Sequence, residues 1–310
     1  MDAARLAGRL NLLGPWLRRA FAGPVVKIGL DAGLGCPHRQ GGRGEGGCAF
    51  CPPGGAGRGA GQPAAAEQLA RGLERLHKRA QEQGRPAPQA LAYFQAYSST
   101  HGPTERLREL YEQALAAPGV AGLIVSTRPD CLDGPRWDLL SELASRASLW
   151  LELGLQSAHD QTLKAMGRGH DVACFDAAAV EARRRGLRVV AHVVLGLPGE
   201  DEGHTNATAR HLAGLGVWGV KLHNLMILEG SRLAQDWRAG RLRPWPRKRY
   251  AAAAGQFLAR LPADTLVHRL AADPGPDRLW APEWAADKAR TLAALADYLE
   301  EHEIKQGSLT

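Results

Sequence analysis

The sequence has few cysteines and no long apolar run. Five cysteines occur among 310 residues. Because their number is odd and we find no secretory leader, we do not expect a disulfide framework. No apolar stretch is long enough to cross a bilayer, so we expect no membrane partner. There is also no internal repeat and no second cysteine cluster. These absences predict a protein of the reducing cytoplasm.

The composition is that of a sizeable basic globular chain. Hydrophobic residues make up 45% of the sequence and the formal net charge is +7. This length is sufficient for one large α/β domain or two small ones. The charge makes an acidic partner such as nucleic acid plausible, although the arginines are spread throughout the chain.

Three of the five cysteines lie in one glycine-rich loop. Eleven residues separate Cys36 from Cys48, and two separate Cys48 from Cys51. The loop follows a short buried strand predicted at Val25–Leu30. Thiolates are soft ligands suited to zinc or to an iron–sulfur cluster, and three of them leave one coordination position open. With His38 as fourth ligand the same loop would be a structural zinc site, and the loop by itself leaves both interpretations open.

Strands and helices alternate through residues 25–225. Six strands are predicted at 25–30, 91–94, 122–126, 149–155, 189–195 and 217–225. Such alternation is typical of parallel βαβ units, which right-handed crossovers wind into a barrel. We therefore predict an α/β fold, a partial (β/α)6 TIM-type barrel with helical extensions at both ends. The expected divisions are an N-terminal helical cap (1–24), a core (25–228) and a helical C-terminal extension (229–310) that includes a short strand at 265–270. Residues 52–63 are predicted to be irregular.

Unusual polar residues follow the predicted strands, where barrels of this class carry their chemistry. They are Gln95, residues 128–131 with Cys131, Gln156, Ser157 and residues 196–200. Two further polar residues, His192 and His223, lie inside apolar strands. A strand histidine is often a satisfied core residue, and that interpretation stays open for both.

A basic stretch near residues 237–250 interleaves arginines with aromatic residues. The aromatic members are Trp237, Trp245 and Tyr250. Base stacking combined with phosphate contact needs such a mixture. A solvated helix end is the alternative.

Several phrases in order give the chain a resemblance to a known family. They are Leu30-Asp-Ala-Gly, Gly46-Gly-Cys-Ala-Phe-Cys51, Tyr93-Phe-Gln-Ala-Tyr97, Thr127-Arg-Pro-Asp-Cys131, Leu151-Glu-Leu-Gly-Leu-Gln-Ser157, Arg168-Gly-His170 and Gly196-Leu-Pro-Gly-Glu200. On these residues the chain resembles the radical S-adenosylmethionine superfamily, in particular its elongator-catalytic-subunit-like subfamily. The usual superfamily loop has three residues between its first two cysteines, and the eleven found here resemble this subfamily's wide spacing.

The resemblance implies a [4Fe–4S] cluster on Cys36, Cys48 and Cys51, with S-adenosylmethionine on the open iron. The reduced cluster would cleave S-adenosylmethionine into methionine and a 5′-deoxyadenosyl radical that abstracts hydrogen from the substrate. An electron donor such as flavodoxin or ferredoxin is implied as a partner.

The resemblance also implies roles for individual residues. Gln95 stands where relatives place the acid that holds the methionine amino group, and Arg168 would pair with the methionine carboxylate. Gln156, with Ser157 beside it, and His192 occupy ribose-contact positions. Gly196 belongs to the segment that flanks adenine, and His223, with Lys221, would face cofactor or substrate. Cys131 is a candidate catalytic hydrogen donor, or simply a small buried residue.

Two functions of different classes follow. The first is a radical enzyme that modifies tRNA at a wobble-uridine side chain, with a small molecule or a protein side chain as the other possible substrate. The second is a zinc-stabilised nucleic-acid-binding module, which explains the cysteines and the charge but not the ordered strand-end phrases.

Overall fold

A computed structural model describes residues 2–38, 47–52, 64–274 and 278–310. Its strands are β1 (Val25–Leu30), β2 (Gln89–Phe94), β3 (Val120–Thr127), β4 (Ser148–Gln156), β5 (Arg188–Leu195), β6 (Gly219–Asn224), β7 (Ile227–Leu228), β8 (Leu266–Arg269) and β9 (Leu279–Ala281). Its α-helices are α1 (Asp2–Ala7), α2 (Leu13–Ala20), α3 (Ala65–Glu82), α4 (Thr104–Ala116), α5 (Gly134–Arg146), α6 (Asp160–Ala165), α7 (Val172–Arg184), α8 (Glu202–Leu215), α9 (Arg232–Arg238), α10 (Arg247–Ala259) and α11 (Lys288–Glu301).

Within the described residues, seven strands form one parallel sheet in the order β1-β2-β3-β4-β5-β6-β8. The sheet curls into a half-barrel, so the predicted α/β partial-barrel class is confirmed. The prediction of six strands was one short, because β8 comes from the segment expected to be a helical extension and pairs with β6. The sequence predicts a short strand at 265–270 there, but so short a pattern does not identify its partner.

The sheet is buried on both faces, and alternate residues of each strand face opposite sides. On β4, Leu149, Leu151 and Leu153 pack towards the surrounding helices. Trp150, one position out of phase, belongs to a separate cluster on the inner, concave face. Glu152 shares the phase of Trp150, so a fully buried carboxylate lies inside the half-barrel.

Segments near both ends of the chain close the inner face. Trp16 of α2 packs edge-on against Trp150 at 6.2 Å and Trp218 at 5.1 Å between ring centroids. Leu12 forms a parallel bridge with Val267 of β8. The backbone NH of Asn11 donates to the Gln306 side chain at 3.0 Å.

Several helices begin at an aspartate that accepts a backbone hydrogen bond from the first turn. Asp133, Asp171, Asp201 and Asp287 do so for α5, α7, α8 and α11. These caps satisfy amides that have no partner within the helix. The starting points after the strands are thereby fixed locally.

The loop residues 39–46 and 53–63 lie outside the described residues, and with them nearly all of the irregular stretch predicted at 52–63. The division of the chain at residues 24 and 228 stays a prediction. No helix among the described residues combines the length and the hydropathy needed to cross a membrane.

Candidate active site

The cysteine loop follows β1 and is held from two sides. Cys48 is buried, and Cys36 and Cys51 are half-buried. The Ala49 NH donates to the Met166 carbonyl at 2.9 Å, and the Ala49 carbonyl accepts from the Leu233 NH at 3.0 Å. The segment carrying Cys48 is therefore fixed between the loop after α6 and the start of α9.

Arg168 is buried directly beside this loop. Its Nη1 donates to Cys48 Sγ at 3.2 Å, and its Nη2 donates to the Gly154 carbonyl at 2.8 Å. The same Nη2 lies 2.9 Å from His170 Nε2. Its buried Nε has no hydrogen-bond partner among the described residues. A guanidinium in this position donates to the cysteine sulfur and, among the described residues, retains a donor for a further acceptor.

A second buried guanidinium, Arg128, lies behind the first. It forms a two-point ion pair with Asp130 at 2.8 and 2.7 Å. Its Nη2 also donates to the Arg168 carbonyl at 2.6 Å and to His38 Nε2 at 2.8 Å. Nη1 is buried and, within the part of the chain that is described, unpartnered. Arg128 thus orients Arg168 and adds positive charge beneath the cysteine loop.

His38 is buried as a neutral imidazole. Burial, and then the charge of Arg128, lowers the pKa of His38 to about 4. Its Nε2 accepts from Arg128, and it forms a backbone hydrogen bond with Gly167. A Cβ at Gly169, which has a φ of +68°, would collide with the His38 ring, so this close approach needs glycine.

The zinc interpretation with His38 as fourth ligand is therefore wrong. The Nε2 lone pair of His38 is taken by Arg128. Among the residues described, no three His, Cys, Asp or Glu side chains converge closely enough to hold one metal ion. A cubane cluster instead binds each thiolate at a different iron, so its sulfurs need not converge on one ion. Three cysteines on one loop, near two buried guanidiniums that each keep a donor unpaired among the described residues, fit such a cluster and an anionic ligand next to it.

The end of β4 is strained where the phrase Gln156-Ser157 begins. Gln156 has a φ of +76°, in the left-handed region that costs a non-glycine residue energy. A Cβ at Gly154 would lie 2.7 Å from Gln156 Nε2 and 2.8 Å from Arg168 Nη2. Because Gly154 has no side chain, the Gln156 and Arg168 side chains can approach each other above its backbone.

Ser157 joins two strand ends. Its buried hydroxyl donates to Glu200, which follows β5, and accepts from the His159 NH at 3.2 Å. Gly196 in the same loop has a φ of +85° and packs against Trp245. Ser157 therefore holds the loop at 196–200 in place, and its direct contact with a cofactor stays a prediction.

The predicted residues Gln95, His192 and His223 lie on the inner side of the sheet. The Gln95 NH donates to the Leu30 carbonyl at 3.1 Å, which places Gln95 beside the start of the cysteine loop. His192 Nε2 lies 2.8 Å from Glu152 Oε2, and the His223 ring is 5.2 Å from that of His192. The buried His223 Nε2 has no partner among the described residues.

Cys131 is buried in a single 3-10 turn after β3. Burial raises the pKa of its thiol, which keeps the proton on the sulfur. That form suits a hydrogen donor, and it also suits an inert core residue, so its catalytic role stays a prediction.

Below the strand ends, charged residues fill a layer of the half-barrel. Glu152 accepts from the Tyr93 hydroxyl at 2.5 Å and from Lys221 Nζ at 2.6 Å. Lys27 Nζ lies 3.5 Å from the other carboxylate oxygen. Lys221 was foreseen near the site, whereas Lys27 and Glu152 were not given a role. In the sequence, Lys27 and Glu152 each stand out as a charged residue within an otherwise apolar predicted strand.

Two of the aromatic residues in the basic stretch at 237–250 are buried. Tyr250 is buried and donates to the Leu270 carbonyl at 2.5 Å, and Trp245 is buried as well. Arg249 pairs with Glu202 at 2.7 Å and lies over the Trp245 ring. The interpretation of Trp245 and Tyr250 as a base-stacking surface is therefore wrong, because both rings pack inside the protein.

Comparison with known proteins agrees with this geometry. The model of the radical SAM superfamily matches residues 33–212, and that of the Radical_SAM C-terminal domain matches residues 217–301. Protein YhcC of Escherichia coli K12 is 38% identical over 302 residues, covering 97% of this chain and 95% of YhcC. The half-barrel with a cysteine loop defines a class of radical enzyme. This chain belongs to the radical SAM superfamily, whose members bind a [4Fe–4S] cluster and S-adenosylmethionine.

More distant relatives are of the elongator type. The tRNA uridine(34) acetyltransferase of Dehalococcoides mccartyi is 29% identical over 155 residues, which is 49% of this chain and 33% of that protein. The solved structure of archaeal Methanocaldococcus infernus Elp3, lacking residues 1–46, has a TM-score of 0.64 at 18% identity. It aligns with 91% of this chain, which spans 64% of that Elp3 chain. The resemblance to the elongator-type subfamily is confirmed.

Proposed function

We propose that this radical SAM enzyme modifies tRNA, at the side chain of a wobble uridine. The observation that carries the proposal is the similarity of half of this chain to a tRNA uridine(34) acetyltransferase. The shared fold with archaeal Elp3 and the net charge of +7 support it. Because the chain covers only a third of that acetyltransferase, only the radical half of its activity is transferred here.

Cys36, Cys48 and Cys51 hold the cluster in this proposal. When bound and reduced, the cluster supplies the electron that cleaves S-adenosylmethionine to methionine and a 5′-deoxyadenosyl radical. The Arg168 guanidinium, 3.2 Å from Cys48 Sγ, supports this role because it stabilises negative charge on the sulfur. The electron donor is a small redox protein such as flavodoxin or ferredoxin, in the cytoplasm.

The remaining strand-end residues bind S-adenosylmethionine. Arg168 keeps its orphaned Nε for the methionine carboxylate, and Gln95 contacts the amino group. Gln156 and His192 contact the ribose, with the loop at Gly196 along the adenine. The donation of His192 Nε2 to Glu152 leaves its other ring nitrogen for a hydroxyl. His223 lies behind His192, and Cys131 donates hydrogen to the substrate radical.

The test uses anaerobically reconstituted enzyme and tRNA from cells with and without this gene. Formation of 5′-deoxyadenosine should be stimulated more by tRNA from the deletion cells, because that tRNA still carries the unmodified uridine. Nucleoside analysis before and after reaction should show one product that only wild-type cells contain. If neither tRNA pool stimulates cleavage while slow uncoupled cleavage persists, the tRNA substrate is wrong and the radical chemistry stands.

A further inference from the structure

A cavity of about 500 Å³ opens between the two edges of the half-barrel. Its walls come from β1 and β8, from the start of α2 and from α11. Lys27, Lys221, Arg269 and Lys288 line it. Its size lies within the range of small-molecule sites. Gln95 lines it as well, so the cavity adjoins the cofactor position proposed above.

The positive charge of this cavity exceeds what the neighbouring carboxylate balances. Glu152 receives hydrogen bonds or ion pairs from Tyr93, His192, Lys221 and Lys27, which occupy the roughly four acceptor positions of a carboxylate. Arg269 and Lys288 form no ion pair with any carboxylate in the described ranges. Within the described residues, the cavity therefore carries two cations that have no carboxylate partner.

The pKa values of neighbouring groups are lowered by this positive charge. Burial, and then the charges of Arg269 and Lys27, lowers the pKa of Lys221 to about 7 against the opposing effect of Glu152. Burial is the largest cause that lowers the pKa of Lys27 and of His223, and the charge of Arg269 lowers both further. Buried charges are stable when they are paired, and among the described residues no second carboxylate pairs with this group.

Apolar side chains also line the cavity. Leu12, Leu13, Leu270 and Leu292 line it. The imidazole of His268 also lines it, and neither ring nitrogen has a hydrogen-bond partner in the described part of the chain. A ligand that interacts with both the cations and the leucines carries an oxyanion and an apolar group.

We infer that this cavity binds an organic anion, with its carboxylate or phosphate group against Lys27, Lys221 and Arg269 and its apolar part against the leucines. The site lies beneath the proposed cofactor position, within the half-barrel. It goes beyond the modification of tRNA, because the cations converge whether or not tRNA is the macromolecular substrate. The bound molecule is then a co-substrate or a small-molecule substrate of the radical reaction.

The test is a calorimetric titration of the cluster-loaded protein, saturated with S-adenosylmethionine and without reductant. The probes are phenyl phosphate, benzoate, inorganic phosphate and neutral benzyl alcohol at constant ionic strength. Phenyl phosphate or benzoate should bind more tightly than inorganic phosphate, and benzyl alcohol should not bind. The tighter of the two aromatic anions identifies the head group.

Variants locate the site. Arg269→Gln should weaken binding of the aromatic anion at least fivefold, whereas Arg269→Lys retains most of it. Arg290→Gln is the matched control, because Arg290 lies on α11 close to Lys288 with its side chain 78% exposed and outside the cavity. If Arg269→Gln does not fold, Lys288→Gln at the mouth carries the same comparison. Equal binding by all folded variants, absence of anion binding, or equal binding of benzyl alcohol would overturn the inference.

Discussion

The half-barrel contains two buried charged centres that balance their charges differently. At the strand ends, Arg128 and Arg168 donate to carbonyls, to Asp130 and to a cysteine sulfur, and each keeps one donor that has no partner in the described part of the chain. In the interior, Glu152 is wholly enclosed by donors. The first centre keeps hydrogen-bond donors that a ligand can use. In the second centre the acceptor positions of Glu152 are filled, and the neighbouring cations outnumber the carboxylate. The difference separates donors that are available to the proposed cofactor from residues that stabilise the interior of the barrel.

The largest effect is expected from a substitution that disrupts only the strand-end centre. Cys48→Ala should reduce iron from about four per chain to below about one, because a thiolate ligand of the cluster is lost. Iron and sulfide analysis after anaerobic reconstitution measures this. Cys174→Ala is the matched control, since Cys174 is half-buried and outside the loop. Equal iron in the two variants would contradict the ligand assignment.

The next effect breaks the interior centre. Glu152→Gln leaves Lys221 buried without its counter-charge, so the free energy of unfolding should fall by about 3–5 kcal/mol. Urea unfolding measures it. Glu142→Gln, which removes an exposed partner of Arg108, should change stability little. Similar losses in both variants would show that Glu152 does not organise the interior.

Arg168→Ala tests the orphaned donor at the strand ends. Binding of S-adenosylmethionine should weaken about tenfold to a hundredfold, because a hydrogen bond to a charged group contributes roughly 1.5–3 kcal/mol. Arg168→Lys should restore part of it, since the planar fork is lost. Equilibrium dialysis measures affinity, visible absorption confirms that the cluster remains, and Lys164→Ala on the exposed side of α6 is the control. Unchanged affinity in Arg168→Ala would remove Arg168 from the cofactor site.

A change of pH touches both centres at once. Burial lowers the pKa of His38 and His192 to about 4 and that of His170 to about 3. Between about pH 6.5 and these values only the unfolded chain binds the protons, so stability should fall as pH falls through this window. Thermal midpoints at pH 7 and pH 5 measure the slope. His192→Gln should reduce it, and exposed His77→Gln should not; an equal slope in all three proteins would contradict the buried neutral histidines.

The strand-end centre was largely predictable and the interior centre was not. Cysteine spacing and the polar phrases after each strand identify the site, because parallel strands end at one edge. The convergence of Lys27, Lys221 and Arg269 depends instead on sheet curvature and on the partner of β8, which no local pattern specifies. Likewise, the charged sequence neighbours of Tyr250 predict an exposed aromatic side chain. The structure places Tyr250 on the buried face of α10.

The closure of the cavity by both ends of the chain also has a consequence for the order of folding. Asn11 and Gln306 are 295 positions apart, as are Arg5 and Glu300. Contacts of such long range form late, because their loop-closure entropy is recovered only after the intervening chain is organised. During synthesis, Arg5 and the Asn11 backbone NH can meet Glu300 and Gln306 only after those residues have left the ribosome. The half-barrel therefore remains open on that side, and the cavity between its edges exists only once the two ends have met.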